Sequence, residues 1–584
     1  MRKFLLSITM LMTAAWAMAA YYVAGNGTSG NPWCDGKSWK IDGSAMTEQN
    51  GVWTVTFQEV PVGSDYQFKV TDGKNTWIGV QKYNRECSNI YARGTDNIKF
   101  GITETQDITI SYDGSQICVN GTIGNEAPDP SQYAKVAVPS EYEGVMLQAF
   151  YWDSYKNTNK YGRTKWIDLM EDSVAIRDNF DLVWFPPSAK GGGVGYSHQQ
   201  LSNQNGDWGQ RSSLEKLIAA LHNGDTKVLA DIVINHRANK SNWCDFYEDT
   251  FGEGYGSYQL TQKHICKGDE CFTTSSSTCY GAADEERGNP DTGTNFDGAR
   301  DLDHTNPFVQ EWAKAYTRWM LDVMKYDGFR YDMTLGFHGQ YLSMYNLNSE
   351  PFFSVSECWE SLDIIQSHLE DASFNTLAFD FPMKFKLNEW KGTSYSKLVK
   401  PGMRSLGLSR FAVTFIDNHD TFNRDSYGNN EFLGTNTDLN AKWKTIIEAN
   451  AYLLMMPGVP CVFYPHWVTF RDEINALIAI RKLVGIHSES EVLDETAAAN
   501  SYSATIVGHN GTAILRMGSA RSKEVPEGFK AAMHGSTFDI YATNATPVAY
   551  TRTENVPTKI MENGTLYILR DGVRYTIDGR MVNK

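Results

Sequence analysis

The chain has 584 residues, 41% of them hydrophobic and 21% charged, the composition of a soluble globular protein too long for one core. Its formal net charge of -16 argues against a nucleic-acid partner and leaves a neutral ligand or simple solubility. Nine cysteines cannot all pair.

Residues 1–20, MRKFLLSITMLMTAAWAMAA, place Arg2 and Lys3 before an apolar stretch that ends in small residues, the pattern of a secretory signal cleaved near Ala19 or Ala20. The alternative, an uncleaved anchor, is disfavoured by the shortness of the apolar run, and no later segment is long and apolar enough to span a bilayer. From 21 to 123, short alternating runs such as VWTVTF, YQFKV and DITISY, separated by Gly, Asn and Asp turns, predict an antiparallel β-sandwich. Residues 124–140 lose this periodicity and read as a linker.

Beyond the linker, strand patterns alternate with helical ones. GVMLQAF, DLVWFPP, KVLADIVIN, GFRYD, FFSVSE, LAFDF, FAVTFI and VPCVFY are eight candidates in order, the number of a (β/α)8 barrel spanning 141–470. A Gly-, Ser- and Cys-rich stretch, 237–300, interrupts the alternation after the third strand and is too long for an ordinary loop, so an inserted subdomain is expected. Cys244, Cys266, Cys271 and Cys279 share this polar stretch and are the expected disulfide partners, whereas Cys358 and Cys461 are expected as buried thiols. A helix pattern and four strand patterns at 471–543 predict a C-terminal antiparallel β-domain. Residues 544–584 add a spacer and a compact β-like unit.

Four barrel runs, ADIVINHR, GFRYD, FFSVSECWE and FAVTFIDNHD, end in a carboxylate or histidine, at the strand ends where such a barrel keeps its chemistry. Breaking an acetal needs an acid for the leaving oxygen and a carboxylate for the carbon. Arg330, two residues before Asp332 and so on the same strand face, is expected to hold Asp332 ionised with a low pKa, as a nucleophile requires. Glu357, between Val355 and the Cys358-Trp359 pair, is in a more apolar setting that would keep a proton for general-acid work. Asp420, His419 and His236 are expected to hydrogen-bond sugar hydroxyls. A rival use of His236, Asp332, Glu357 and His419 as metal ligands of a hydrolase is opposed by the cation at Arg330.

DIVINH, GFRYD, the Glu of SVSECWE and DNHD resemble the four signature regions of the α-amylase family of retaining glycoside hydrolases. The resemblance runs from about Tyr142 to Thr543 and is strongest toward plant-type members, with GVMLQAFYWDSY, GYSHQQLSN and GNPDTGTNFDGARDLDH as further landmarks. It implies Asp332 as nucleophile, Glu357 as general acid/base and Asp420 as a third, transition-state-stabilising carboxylate. It also implies that His236, Arg330 and His419 line the attacked glucose, with Tyr196 as a stacking platform there and Trp359 as one on the leaving-group side.

The sequence departs from the family in Asp332-Met-Thr-Leu-Gly, where many members follow the nucleophile with Lys-His, in Ser356 before the acid, and in Cys358 after it. Hard cations take several oxygen ligands. Asn235, Asp291 and Asp301 occupy positions that bind calcium in the resembling enzymes, with the backbone carbonyls of Thr294 and Gly336.

The expected activity is hydrolysis of internal α-1,4-glucosidic bonds in starch, glycogen or maltooligosaccharides by a secreted or cell-surface monomer of a Gram-negative bacterium. A transglycosylase or maltooligosaccharide-forming relative and a non-catalytic surface glucan-binding protein are the alternatives; the second predicts loss of a catalytic carboxylate, and all three are present. The N-terminal sandwich resembles bacterial starch-binding modules, with Trp33, Trp39, Trp53 and Trp77 as candidate sugar platforms, Trp33 and Trp77 foremost because they neighbour turns. The C-terminal unit resembles sorting signals of exported Bacteroidetes-type proteins.

Overall fold

The computed structural model describes residues 21–49, 51–79, 90–91, 97–102, 105–112, 114, 116–119, 137–156, 161–422 and 439–545, with four strand segments between 558 and 582. The expected signal at 1–20 and most of the expected linker lie outside the described residues.

Eight parallel strands close into a barrel: β1 (Met146–Gln148), β2 (Leu182–Trp184), β3 (Lys227–Ile232), β4 (Gly328–Tyr331), β5 (Phe353–Ser356), β6 (Leu377–Phe379), β7 (Ala412–Phe415) and β8 (Val459–Phe463). Strand β1 pairs with both β2 and β8, which removes every edge. Each strand falls on one of the eight runs read from the sequence. All strand residues except Lys227 are buried, because side chains fill the barrel on one face and helices cover the other, and this is why the runs are apolar without alternation.

The helices follow the same logic. In the helix Pro307–Asp322, Asn306 Oδ1 accepts the Phe308 N–H at 2.9 Å and Pro occupies the first turn. Val309, Trp312, Ala313, Tyr316, Trp319 and Met320 form its buried stripe. The helix Arg471–Val484 ends at Gly485, whose φ of +75° is left-handed. Its buried Arg481 donates to the carbonyls of Leu454, Met456 and Gly458, each at 2.9 Å, so this helix packs as the last of the barrel layer. A five-stranded antiparallel sheet follows, beginning at Val492–Ala498, an edge strand whose acidic, half-exposed residues hide it from a hydrophobic pattern search. Four short antiparallel strands between 558 and 582 form a separate sheet.

The insert after β3 is fastened at its root by two-residue strands, His236–Arg237 against Arg300–Asp301, and by a fully buried Arg237–Asp249 ion pair of 3.0 Å. One disulfide, Cys244–Cys279, crosses it. Cys266 and Cys271, expected as bridge partners, are buried thiols. For Cys266 the reason is its backbone: its N–H bonds to Asp301 O at 2.8 Å, which holds its sulfur among the carboxylates of Asp291 and Asp301. Cys358 and Cys461 are buried thiols, as expected.

Residues 21–119 contain two five-stranded sheets around a core of Trp33, Phe57, Phe68, Ile108 and Ile110. Trp33, expected as a sugar platform, is fully buried there, its ring edge-on to Phe57 at 4.9 Å and to Phe100 at 5.0 Å. A turn residue can still point inward, and here the short turn 33–36 folds its indole under the sheet. Trp53 is half-buried against Tyr21, at 4.8 Å. Trp39 and Trp77 are also half-buried and flank Lys69, whose Nζ lies 6.0 and 5.9 Å from their ring centroids.

Candidate active site

The site is organised by one buried guanidinium. Arg330 on β4 pairs in register with Asp231 on β3 and Val355 on β5. Its Nη1 lies 2.8 Å from Asp231 Oδ1 and 2.6 Å from Asp332 Oδ1, and its Nη2 lies 2.7 Å from Glu357 Oε1. Asp332 and Glu357 are the first residues beyond β4 and β5, so parallel pairing brings both to the same rim. Asp420, five residues past β7, is the most exposed of the set, and its field reaches both other carboxylates.

One cation among four carboxylates cannot keep all of them ionised in a buried site. Burial pushes Glu357 up to about 8, against Arg330 and with the help of Asp332 and Asp420. Burial also pushes Asp332 up to about 6, against Arg330 and with the help of Asp231 and Asp420. The expectation that Arg330 holds Asp332 low is therefore overturned: the guanidinium is shared among three carboxylates, and burial outweighs its divided field. Glu357 is in turn less apolar than its sequence neighbours suggest, since it shares that guanidinium. The order of the pair, Asp332 below Glu357, matches a nucleophile beside a proton-holding acid.

The acid has a second support. Met333 adopts a left-handed conformation, φ +46°, and its N–H donates to Glu357 Oε2 at 3.0 Å, while Thr334 Oγ1 donates to the Glu357 carbonyl at 2.7 Å. A left-handed conformation for such a residue costs on the order of 1 kcal/mol. The turn built from the Met-Thr-Leu-Gly segment thus orients Glu357.

Tyr196, His419 and Trp152 form an aromatic floor of nearly parallel, stacked rings. Their planes lie within 13° of one another, at centroid separations of 5.8 Å for Trp152 and Tyr196, 5.4 Å for Tyr196 and His419, and 6.0 Å for Trp152 and His419. Three nearly equal separations mean that the ring centres form a triangle, since a column would double the end-to-end distance. The Tyr196 hydroxyl donates to Asp231 Oδ2 at 2.8 Å and lies 2.9 Å from His419 Nε2. Gln148 Nε2 donates to His419 Nδ1 at 3.0 Å, which puts the ring proton on Nε2, facing Tyr196 and, at 3.1 Å, Asp420 Oδ2.

His236 is held neutral by burial, its pKa pushed down to about 4. It donates from Nε2 to the Tyr196 carbonyl at 2.9 Å and packs on Phe296 at 4.4 Å, so it seats the aromatic floor. Trp359 is half-buried with one face on Phe381, at 4.8 Å.

Asn235, three residues past β3, accepts the Leu302 N–H through its carbonyl at 2.9 Å, next to Asp301, whose carboxylate lies beside that of Asp291. Asn235 Oδ1, Asp291 Oδ2 and both carboxylate oxygens of Asp301 are buried and have no hydrogen-bond partner among the described residues. Burial pushes both acids up, and their mutual repulsion raises Asp301 further. Four orphaned oxygens, three of them on mutually repelling acids, are a donor set that fits a hard divalent cation. Gly336 is required beside them, because a Cβ there would lie 1.8 Å from Asn235 Oδ1. Thr294 is joined to the same turn through its N–H, 2.8 Å from Leu335 O. The sulfur of Cys266 belongs to the same group.

Sequence reasoning missed Asp231, Gln148, Trp152 and the Met333 N–H. Asp231 alone carried a legible signal, a carboxylate inside an otherwise apolar strand. The other three act through ring stacking, a side-chain hydrogen bond or backbone direction, which spacing does not encode.

The family model described as "Alpha amylase, catalytic domain" matches residues 149–340. Probable alpha-amylase 2 of Arabidopsis thaliana is 33% identical over 391 residues, covering 62% of this chain and 86% of that protein. The chloroplastic alpha-amylase 3 of the same plant is 28% identical over 414 residues, covering 66% of this chain and 42% of that protein. A crystal structure of an Anoxybacillus alpha-amylase matches in fold, with a TM-score of 0.52 at 14% identity, over 69% of this chain and 98% of that one.

Proposed function

The chain belongs to the α-amylase family of glycoside hydrolases, and from that premise we propose that it hydrolyses internal α-1,4-glucosidic bonds of starch and related glucans with retention of configuration. The observation that carries this reading is the Arg330 fork, which ties Asp332 and Glu357 to adjacent nitrogens of one guanidinium. Retention needs a nucleophilic carboxylate and a proton-holding acid on one rim, about 5 Å apart, and the shared guanidinium keeps these two side by side.

Asp332 attacks the anomeric carbon as Glu357 passes its proton to the glycosidic oxygen. The resulting Glu357 carboxylate then takes a proton from the water that releases the sugar. Asp420, fixed beside His419, stabilises the positive charge at the sugar carbon, and the floor of Tyr196, Trp152 and His419 supports the ring face. Asn235, Asp291 and Asp301, with the carbonyls of Thr294 and Gly336, would hold calcium, which when bound supplies charge neutralisation where the insert meets the barrel. In the N-terminal sandwich, the Trp39 and Trp77 pair around Lys69 is the platform for an insoluble glucan.

The Arg2-Lys3 start and the small-residue end of segment 1–20 support export, to the medium or to the surface of a Gram-negative cell. Among the described residues no helix is long and apolar enough to cross a membrane.

The deciding experiment is the release of reducing ends from soluble starch, with the anomer of the first product followed by proton NMR. The α anomer from wild type and silence from Asp332→Asn are expected. A β anomer would overturn retention, and an inactive wild type would overturn the activity.

A further inference from the structure

The insert contains a third sulfur beside its disulfide. The sulfur atoms of Cys244, Cys271 and Cys279 all lie within 4.8 Å of one another, although only Cys244 and Cys279 are bonded. Cys271 and Cys279 are buried, and Cys244 is half-buried. Two hydroxyls attend the bonded pair: Ser277 Oγ lies 3.1 Å from Cys279 Sγ and 3.7 Å from Cys244 Sγ, and Thr278 Oγ1 lies 3.6 Å from Cys244 Sγ. We propose that this trio is a disulfide-exchange site, in which Cys271 competes with Cys244 for Cys279.

The step balances within the chain. Cys271 loses its thiol proton and its sulfur attacks Cys279 Sγ. The Cys271–Cys279 bond forms as the Cys244–Cys279 bond breaks, and the Cys244 sulfur leaves with the electron pair and takes up a proton. One disulfide and one thiol enter and leave, so no oxidant or reductant is consumed. Cys244 is the natural leaving group because it is the most exposed of the three and has the Thr278 and Ser277 hydroxyls to donate to its sulfur.

Two effects set the balance and the pace. The Cys244–Cys279 bridge closes 35 residues of sequence, against 8 for Cys271–Cys279, and closing the longer loop restricts the unfolded chain more, so the observed pairing is the major form. Burial and the neighbouring Asp269 carboxylate push the Cys271 thiol up, which makes exchange slow. Its structural effect is specific. Moving the bridge frees Cys244 and, next to it, Trp243, whose ring lies 4.0 Å from the Arg300 guanidinium centre, one residue from Asp301. At the other end Asp269 accepts both the Cys271 N–H at 2.9 Å and the Asp301 N–H at 2.8 Å. The exchange therefore loosens one attachment of the Arg300–Asp301 strand and tightens the other.

The test is a non-reducing peptide map of the full chain, with free thiols blocked by N-ethylmaleimide in mildly acidic denaturant. Wild type held for hours near pH 9 should yield a minor Cys271–Cys279 peptide pair with blocked Cys244, and the Cys244→Ser chain, incubated with oxidised glutathione as the two-electron oxidant, should carry that bridge in most molecules. Blocked thiols at both Cys271 and Cys279 in Cys244→Ser would overturn the proposal. If that variant does not fold, the wild-type time course decides, and absence of the Cys271–Cys279 pair overturns it. Equal scrambling into Cys34, Cys118 or Cys266 would also overturn it, because exchange would then be indiscriminate.

Discussion

Asp231 and Arg330 occupy paired positions on adjacent barrel strands and are joined by a 2.8 Å ion pair with both side chains withdrawn from solvent. That pair anchors the guanidinium, whose Nη1 also reaches Asp332 and whose Nη2 reaches Glu357. Asp231 also fixes the aromatic floor, by accepting from Tyr196 at 2.8 Å and from Trp184 Nε1 at 3.1 Å. Asp332, Glu357 and the aromatic floor are thus positioned by one buried carboxylate.

Replacing Glu357 by Gln removes the transferable proton and leaves the shape. The expected result is a fall in kcat of about 10²–10⁴-fold on starch. An unchanged circular dichroism spectrum and melting temperature would show that chemistry alone was lost, and an undiminished kcat would remove Glu357 from the mechanism.

The pH dependence follows from the two carboxyls. Asp332 must be ionised, a fraction that rises as pH climbs through about 6, and Glu357 must be protonated, a fraction that falls as pH climbs through about 8. The profile of kcat/KM should therefore be bell-shaped, with its plateau between those limbs. A rate that keeps rising well above the upper limb would mean that Glu357 is not the acid.

Arg330→Lys keeps a charge and loses the fork, and one ammonium cannot reproduce contacts made through two guanidinium nitrogens. We expect kcat to drop more than about tenfold. With less stabilisation of its carboxylate, Asp332 should titrate higher, moving the acid limb of the profile to higher pH. A parallel drop at all pH values would point to structural damage instead.

Chelation should lower the melting temperature of wild type by several degrees and leave Asp301→Asn almost unaffected, since a cation that binds only the folded chain stabilises it by mass action, about 2.7 kcal/mol at a hundred times its dissociation constant. Calcium retention after dialysis, measured by atomic emission, is the matching readout. Equal responses of the two proteins would exclude these oxygens as the ligands.

Trp39→Ala and Trp77→Ala should each weaken adsorption to granular starch several-fold while leaving kcat on a soluble maltooligosaccharide unchanged. Loss of aromatic stacking and cation–π support at a half-exposed site has effects of that order. The paired Trp33→Ala should instead destabilise the sandwich by about 3–5 kcal/mol, because Trp33 is core. Adsorption that survives both platform substitutions would place glucan binding elsewhere.

The barrel was legible because its strands are buried on both faces, so that burial writes itself into unbroken apolar runs, and because parallel pairing sets every strand end on one rim. That sufficed to place Asp332 and Glu357 at strand ends of one rim, since both follow β4 and β5 directly. Trp33 was misread for the converse reason. Its neighbours are turn residues, but the direction of an indole is set by what packs around it, here Phe57 and Phe100. Cys266 and Cys271 were misread in the same way, since sharing a polar loop says nothing of which sulfurs meet.

The sequence by itself determined the fold class, the strand order and the acids at the strand ends, because those depend on local burial and chain order. Only the tertiary structure decided the charge state of the site. The field at Asp332 is the sum of a shared guanidinium, the Asp231 and Asp420 carboxylates and the loss of water around it, and these come from β3, β4 and the loop after β7, elements far apart along the chain. The same is true of the aromatic floor and of the three sulfurs in the insert, where distance in space and not spacing in sequence makes the chemistry.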